Sequence, residues 1–204
     1  MKNKSSKIPC SILFASLLSG CASYNAAPLN NYFPDVVLSS HETNHSDVLI
    51  TAKAYDNLDC NKYLDRNVIS KGYQPIQLYI QNNSGKSYSF SLNRIDLPYA
   101  RQEEVAEKVH TSTIGRILGY GIPGMLILWP LIIPAIVDGI KSADANEALD
   151  HDFSSKIARD QIIDPHSHFN KIIFVPTSEF RQSFNVTLID LKSNKPKTFN
   201  VMAS

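Results

Sequence analysis

A stretch of 21 residues without a charged side chain, residues 117–137, constrains this chain more than any other feature. Eleven of these residues are Leu, Ile or Val. One continuous helix of this length would extend about 31 Å, close to the thickness of a bilayer's hydrocarbon core. However, the stretch contains Pro123, Pro130 and Pro134, and each proline inside a helix costs about 3 kcal/mol. The pattern therefore predicts short helical pieces, folded as a re-entrant hairpin with a turn near Pro130.

We expect the tip of this hairpin to contact either the bilayer or a partner protein. The apolar side chains predicted to make that contact are Ile122, Met125, Leu126, Leu128, Trp129, Leu131, Ile132 and Ile133. Trp129 suits a bilayer interface because indole combines an apolar ring with a polar N–H. Two alternatives stay open, namely a single transmembrane span over 117–137 and burial of the segment against the folded domain.

The first 20 residues predict a secretory signal peptide. Three lysines at positions 2, 4 and 7 precede an apolar run from Ile8 to Leu18, which is too short to span a bilayer. The run ends in the letters LLSGC, which resemble the lipobox of bacterial lipoproteins. The resemblance implies cleavage between Gly20 and Cys21 and triacylation of Cys21. The alternative is an ordinary signal peptide followed by a coincidental cysteine.

The lipobox resemblance also implies a location. Two or more acyl chains anchor a protein stably, so membrane lipid bound through Cys21 would suffice without the apolar segment. The residue after Cys21 is Ala22 and not Asp, which by resemblance to enterobacterial lipoproteins implies export to the outer membrane, facing the periplasm. The segment 117–137 is then redundant as an anchor and requires another role.

Charge and cysteine content restrict the possible partners. Removal of residues 1–20 leaves 17 basic and 19 acidic residues, with no basic stripe that would indicate nucleic-acid binding. After cleavage and acylation, Cys60 is the remaining thiol, so an intramolecular disulfide is not expected.

Alternating apolar and polar residues predict a mainly β fold, an antiparallel β-sandwich interrupted by a helical, hydrophobic insertion. The predicted boundaries are a signal peptide at 1–20, a lipidated tether at 21–45, the first part of the sandwich at 46–99, the insertion at 100–160 and the second part at 161–204. Strands are expected at 47–55, 75–81, 86–97, 169–175, 183–191 and 197–202. The letters NNSG at 82–85 predict a turn that makes a hairpin of residues 75–97.

The late sequence IIDPHSHFNKIIFV resembles immunoglobulin-like domains of bacterial envelope lipoproteins. The resemblance covers about residues 73–98 and 160–202, and it implies a fold without implying an activity. His166 stands where those domains usually have glycine.

The two flanks of the apolar segment predict helices. Residues 100–118 contain helix formers, and residues 138–160 place an apolar stripe at helical spacing, formed by Ile140, Ala143, Leu149, Phe153 and Ile157.

One motif suggests an enzyme. HETNH at 41–45 has the zinc-peptidase pattern, with His41 and His45 as ligands and Glu42 as base, although it lies in a polar stretch. SGKS at 84–87 is interpreted as a turn, EKVH at 107–110 as a solvated helix face, and HSH at 166–168 as exposed. We therefore expect a non-enzymatic envelope protein without metal or cofactor, with a zinc-dependent hydrolase as the alternative.

Overall fold

A computed structural model describes residues 23–30, 47–110 and 132–204, with side chains described in the long helix from Ser142 onward. The chain divides into two compact units. One comprises Met1–Tyr24 and Thr111–Ala148, and its described part is chiefly helical; the other comprises Asn25–His110 and Leu149–Ser204.

The second unit contains two antiparallel sheets built from the seven strands of the described residues. Sheet A has the order β1-β2-β5, formed by Val48–Ala54, Tyr73–Asn82 and His168–Pro176. Sheet B has the order β4-β3-β6-β7, formed by Gln161–Ile163, Tyr88–Phe90, Ser183–Asp190 and Pro196–Met202. The predicted mainly β, antiparallel sandwich is therefore confirmed.

The core of the sandwich comes from the inward faces of both sheets. In sheet A, Ile50, Ile80 and Phe169 are direct partners across three strands. Sheet B contributes Phe90, which contacts Phe169 with ring centroids 4.4 Å apart. Val48, Ile76, Leu78 and Val186 belong to this core, and all four side chains are fully buried.

A helical layer covers the outer face of sheet A. It contains α1 (Asn57–Leu64), α2 (Gln102–Val109) and the carboxyl-terminal end of α3 (Ile132–Lys156). Phe153 of α3 packs against Phe174, and Tyr63 of α1 packs against Tyr55, with ring centroids 5.7 Å and 5.5 Å apart. Sheet A is therefore buried on both faces.

Local chemistry sets the ends of these helices. Asp56 and Asp59 form a reciprocal capping box at the start of α1, which satisfies two backbone donors. Helix α3 begins at Ile132, and Pro134 is its third residue, where a missing N–H removes no intrahelical hydrogen bond.

The predicted hairpin of residues 75–97 is wrong. β2 pairs with β1 and β5, whereas β3 pairs with β4 and β6, so residues 83–87 pass from one sheet to the other. The side chain of Asn82 fixes this crossing, because its Nδ2 donates to the carbonyls of Lys86 (2.7 Å) and Asp164 (2.8 Å). A turn signal indicates where the chain reverses, and it does not indicate which sheet follows.

The prediction of the apolar stripe on α3 is correct in part. Leu149, Phe153 and Ile157 are buried as predicted, but Ala143 is exposed. Its place is taken by Ser142 and Ala145, which are buried and lie in register with Leu149 at helical spacing. The side chain of Ile140 lies outside the described residues.

His166 adopts the left-handed backbone conformation, with φ of 54°. That conformation costs a non-glycine residue about 1 kcal/mol, and glycine recovers part of it after its larger unfolded-state entropy is counted. We therefore expect His166→Gly to raise the unfolding free energy by about 0.5 kcal/mol, measured by urea denaturation. Asn194→Gly is the matched control, because asparagine tolerates its φ of 53° and little change is expected. A less stable His166→Gly variant would contradict this account.

Asp190 closes the turn between β6 and β7. Its carboxylate accepts from Lys86 Nζ at 3.0 Å and from the backbone N–H of Ser193 at 3.1 Å and of Lys192 at 2.9 Å. The hydrogen bond from Lys86, followed by that from the Ser193 backbone, lowers the pKa of Asp190 well below its usual value. The ionised carboxylate therefore stabilises the folded state.

A lowered folded-state pKa gives a stabilisation that is present above the ordinary aspartate pKa of about 4 and is lost as pH falls through the folded value. We expect Asp190→Asn to lower the urea midpoint at neutral pH, and this deficit to shrink steadily in more acidic solution. Glu107→Gln, on the exposed side of α2, is the control and should leave the midpoint almost unchanged. A deficit independent of pH would disprove the role of the charge.

Candidate functional site

Residues 25–30, here called the strap, lie on the helical layer next to the carboxyl-terminal end of α1. The backbone N–H of Ala27 donates to the carbonyl of Lys62 at 2.8 Å, and that of Asn25 donates to Asp65 Oδ2 at 3.0 Å. Asp65 is the carboxyl-terminal cap of α1 and is itself bonded by Arg66 at 2.9 Å. The tether expected from sequence is thus fastened to the domain over this part of its length.

A polar network centred on the buried side chain of Gln77 holds the far end of the strap. The carbonyl of Asn30 accepts from Gln77 Nε2 at 3.1 Å and from Asn170 Nδ2 at 2.7 Å. Gln77 is fully buried in the centre of sheet A, and its Oε1 accepts from Tyr55 at 2.8 Å. Burial raises the pKa of Tyr55, so its hydroxyl remains a neutral donor. Asn30 Nδ2 also donates to Tyr63 Oη at 2.8 Å. The strap therefore supplies partners that the outer face of sheet A needs.

Lys156 joins three parts of the helical layer. Its ammonium donates to the carbonyls of Ala27 at 2.7 Å and Tyr63 at 2.8 Å, and it lies 2.7 Å from Asp152 Oδ2. The side chain is 6% exposed, so these contacts use all three ammonium donors in a nearly dry site. The strap, α1 and α3 are thereby fixed to one another.

The two ends of the helical insertion are attached to the same edge of sheet A. The N–H of Ala100 donates to the carbonyl of Phe174, and that of Ala158 donates to the carbonyl of Ile172, both at 2.8 Å. These carbonyls belong to alternate residues of β5, so the chain leaves and re-enters the sandwich at neighbouring points. Arg159 also donates to Gln102 Oε1 at 2.9 Å.

Further contacts hold the helices above that edge. His110 Nε2 lies 2.7 Å from Asp150 Oδ1 and joins the end of α2 to α3. Tyr73 of β2 donates to Glu104 and accepts from Lys108, whose ammonium lies 4.5 Å from the Tyr73 ring centroid. The hydrogen bond with Tyr73 lowers the pKa of Glu104 and raises that of Lys108, so both stay charged. Residues 111–131 therefore connect α2 to α3, and both helices are attached to the domain by these contacts.

Two depressions lie beside these contacts. A groove of about 400 Å³ runs between the strap and β5, lined by Pro28, Leu29, Lys156, His168 and Lys171 among others. A cavity of about 160 Å³ lies under the base of the insertion, lined by Arg101, Arg159 and Phe174 among others. In the groove, Lys171 donates to the carbonyl of Ser155, and Lys156 is fully engaged, so these cations serve the fold. Neither depression defines a reaction.

Most of the site residues predicted from sequence lie outside the described residues. These are Gly20, Cys21, Ile122, Met125, Leu126, Leu128, Trp129 and Leu131, together with His41, Glu42 and His45 of the HETNH motif. Ile132 and Ile133 begin α3, but their side chains also lie outside the described part. Those assignments remain predictions.

The smaller motifs have structural explanations. SGKS lies in the crossing between the sheets, where Ser84 bonds to Asn82. His110 of EKVH contacts Asp150, and His168 of HSH stacks on Tyr79 with ring centroids 6.0 Å apart. Within the described ranges, no group of three or more His, Cys, Asp or Glu side chains is placed to hold a metal ion.

Lys156, Gln77 and Asn30 were not identified from the sequence. The sequence contained one indication of Lys156, because it follows Phe153 by three residues and therefore falls on the buried side of α3, where an apolar residue is the norm.

Cys60 is also buried, and burial raises the pKa of its thiol to about 11. This thiol is protonated at neutral pH and unreactive.

Comparisons with protein-family models, with curated proteins and with solved structures found no match for this chain. In the described part of the chain, no helix is both long and apolar enough to cross a bilayer.

Lys156→Met tests whether the strap depends on this ammonium. The change removes the donor for two carbonyls and the ion pair with Asp152 in a nearly dry site, so we expect a loss of about 3 kcal/mol in unfolding free energy. Hydrogen exchange should also show reduced protection of the Ala27 amide, which is bonded to Lys62. Lys171→Met is the control, since its exposed ammonium bonds a single carbonyl, and it should cost less than about 1 kcal/mol. Equal losses in the two variants would argue against a special role for Lys156.

Proposed function

We propose that this chain is a non-enzymatic, lipid-anchored protein of the bacterial cell envelope, whose β-sandwich presents a hydrophobic hairpin to the membrane or to a partner protein. The anchor is membrane lipid attached through triacylated Cys21, and the location is the outer membrane, facing the periplasm. The contact residues are those of the hairpin tip, Ile122, Met125, Leu126, Leu128, Trp129, Leu131, Ile132 and Ile133.

The observation that carries this proposal is the fixed base of the insertion. Ala100 and Ala158 bond neighbouring carbonyls of β5, and His110 bonds Asp150 above them. A segment held at both ends loses less conformational entropy on binding than one on a free chain. Such a base suits an apolar segment that works as a probe.

The energetics support a contact role distinct from anchoring. Each methylene of an acyl chain contributes roughly 0.8 kcal/mol to membrane binding, so three chains on Cys21 hold the protein without help. The eleven Leu, Ile and Val side chains of 117–137 add only roughly 3 to 7 kcal/mol at the centre of a bilayer. This gain is useful for a reversible contact and unnecessary for retention.

The proposal is tested by removing the lipid and following the hairpin. The mature chain is exported behind a cleavable secretory signal with Cys21→Ser, and its membrane association is measured by fractionation and by flotation with pure phospholipid vesicles. We expect the protein to sediment with membranes, because the hairpin binds lipid or a resident protein. The matched control replaces residues 117–137 by a short Gly-Ser linker and should be released.

The outcomes separate the alternatives. Flotation with pure vesicles identifies lipid as the contact, whereas binding only to native membranes identifies a protein partner. A delipidated chain that is fully soluble and monomeric would overturn the hairpin contact and favour burial of the segment. Lipidation is checked independently, since globomycin should cause the uncleaved precursor of the native chain to accumulate.

A further inference from the structure

The fastened strap limits how far the domain can move from the proposed lipid. Asn25 is bonded to Asp65, and Ala27 is bonded to Lys62 and Lys156. Cys21 precedes Asn25 by four residues, and four residues span at most about 14 Å in any conformation. If Cys21 carries lipid, Asn25, which is bonded to the carboxyl-terminal cap of α1, lies within this distance of the acylated residue.

Helix α1 has one face turned toward sheet A and one turned outward. Cys60, Tyr63 and Leu64 are buried against the sheet, whereas Leu58 and the neighbouring polar residues on the opposite side are exposed. Leu58 is 77% exposed, the highest value among the large apolar side chains that the structure describes as exposed. It lies one turn from Lys62, whose carbonyl receives the strap.

The strap and the bases of the insertion belong to the same layer. The strap, α1, α2 and residues 149–156 of α3 all cover the outer face of sheet A, and Lys156 bonds the strap directly. Sheet B lies beyond sheet A, and its outer face carries the bonded pair Thr187 and Thr198. The two elements proposed to contact the membrane therefore leave the domain from one side.

We propose that the outward face of α1, formed by Leu58, Asn61 and Lys62, rests on the headgroups of the bilayer that holds Cys21, with sheet B facing away. This proposal rests on the lipidation proposed above. Leu58 enters the boundary between headgroups and acyl chains, while the Lys62 ammonium reaches the phosphates with its apolar stem along the surface. The short tether sets this orientation by restricting the exit point of the strap.

The test measures the depth of α1 in the lipidated, full-length protein. Leu58→Cys is labelled with the fluorophore NBD and reconstituted into vesicles of phosphatidylethanolamine and phosphatidylglycerol that contain lipids with a shallow nitroxide quencher. Thr198→Cys, at an exposed position of sheet B, is the matched control. The unmutated protein should take up no label, since Cys21 is acylated and Cys60 is buried.

We expect several-fold stronger quenching, with a blue-shifted emission, at position 58 than at position 198. Insertion of about twelve Gly and Ser residues after Ala22 adds roughly 20 Å of reach and should reduce quenching at position 58 toward the control. Equal and weak quenching at both positions in vesicle-bound protein would overturn this orientation alone. Unchanged quenching with the longer linker would overturn the role of the tether. Failure of the protein to float with vesicles would overturn lipid anchoring, and this proposal with it.

Discussion

The burial of sheet A on both faces is the constraint on which the rest of the domain depends. Its inward face packs in the sandwich core, while its outward face carries the fully buried side chain of Gln77, whose polar atoms must be satisfied without water. Asn170 Oδ1 accepts from Gln77 Nε2 at 2.6 Å. The carbonyl of Asn30 in the strap accepts a hydrogen bond from Gln77. Lys156 bonds the strap to the helices that cover the rest of this face. Removal of one member takes a hydrogen-bond partner from each of the others, so the members stabilise one another.

The fold was predictable to the extent that it follows from local patterns. Alternation along residues 47–55 and 169–175 gave strands whose observed bounds differ by one residue, because period-two burial is readable in a short window. The assignment of β2 and β3 to different sheets was not readable, since it depends on Asn82 reaching Asp164. Helix α1 was missed because it spans only eight residues, half of them polar.

The candidate site was predictable in a different way. The lipobox and the apolar segment 117–137 rest on residue types, and their assignments remain predictions. The strap has neither periodicity nor a motif, and its partners lie as far as 140 residues away in the chain. No short stretch of sequence contains both residues of such a contact. Only Lys156 indicated a buried polar contact, because it occupies a position on α3 where the helical spacing predicts an apolar residue.

The reach of the strap has a consequence for the order in which the parts of the domain assemble. Ala27 and Asn30 bond to residues 156 and 170, so these contacts cannot form until most of the chain has been synthesised. The first segment of the domain to emerge is therefore among the last to be fastened.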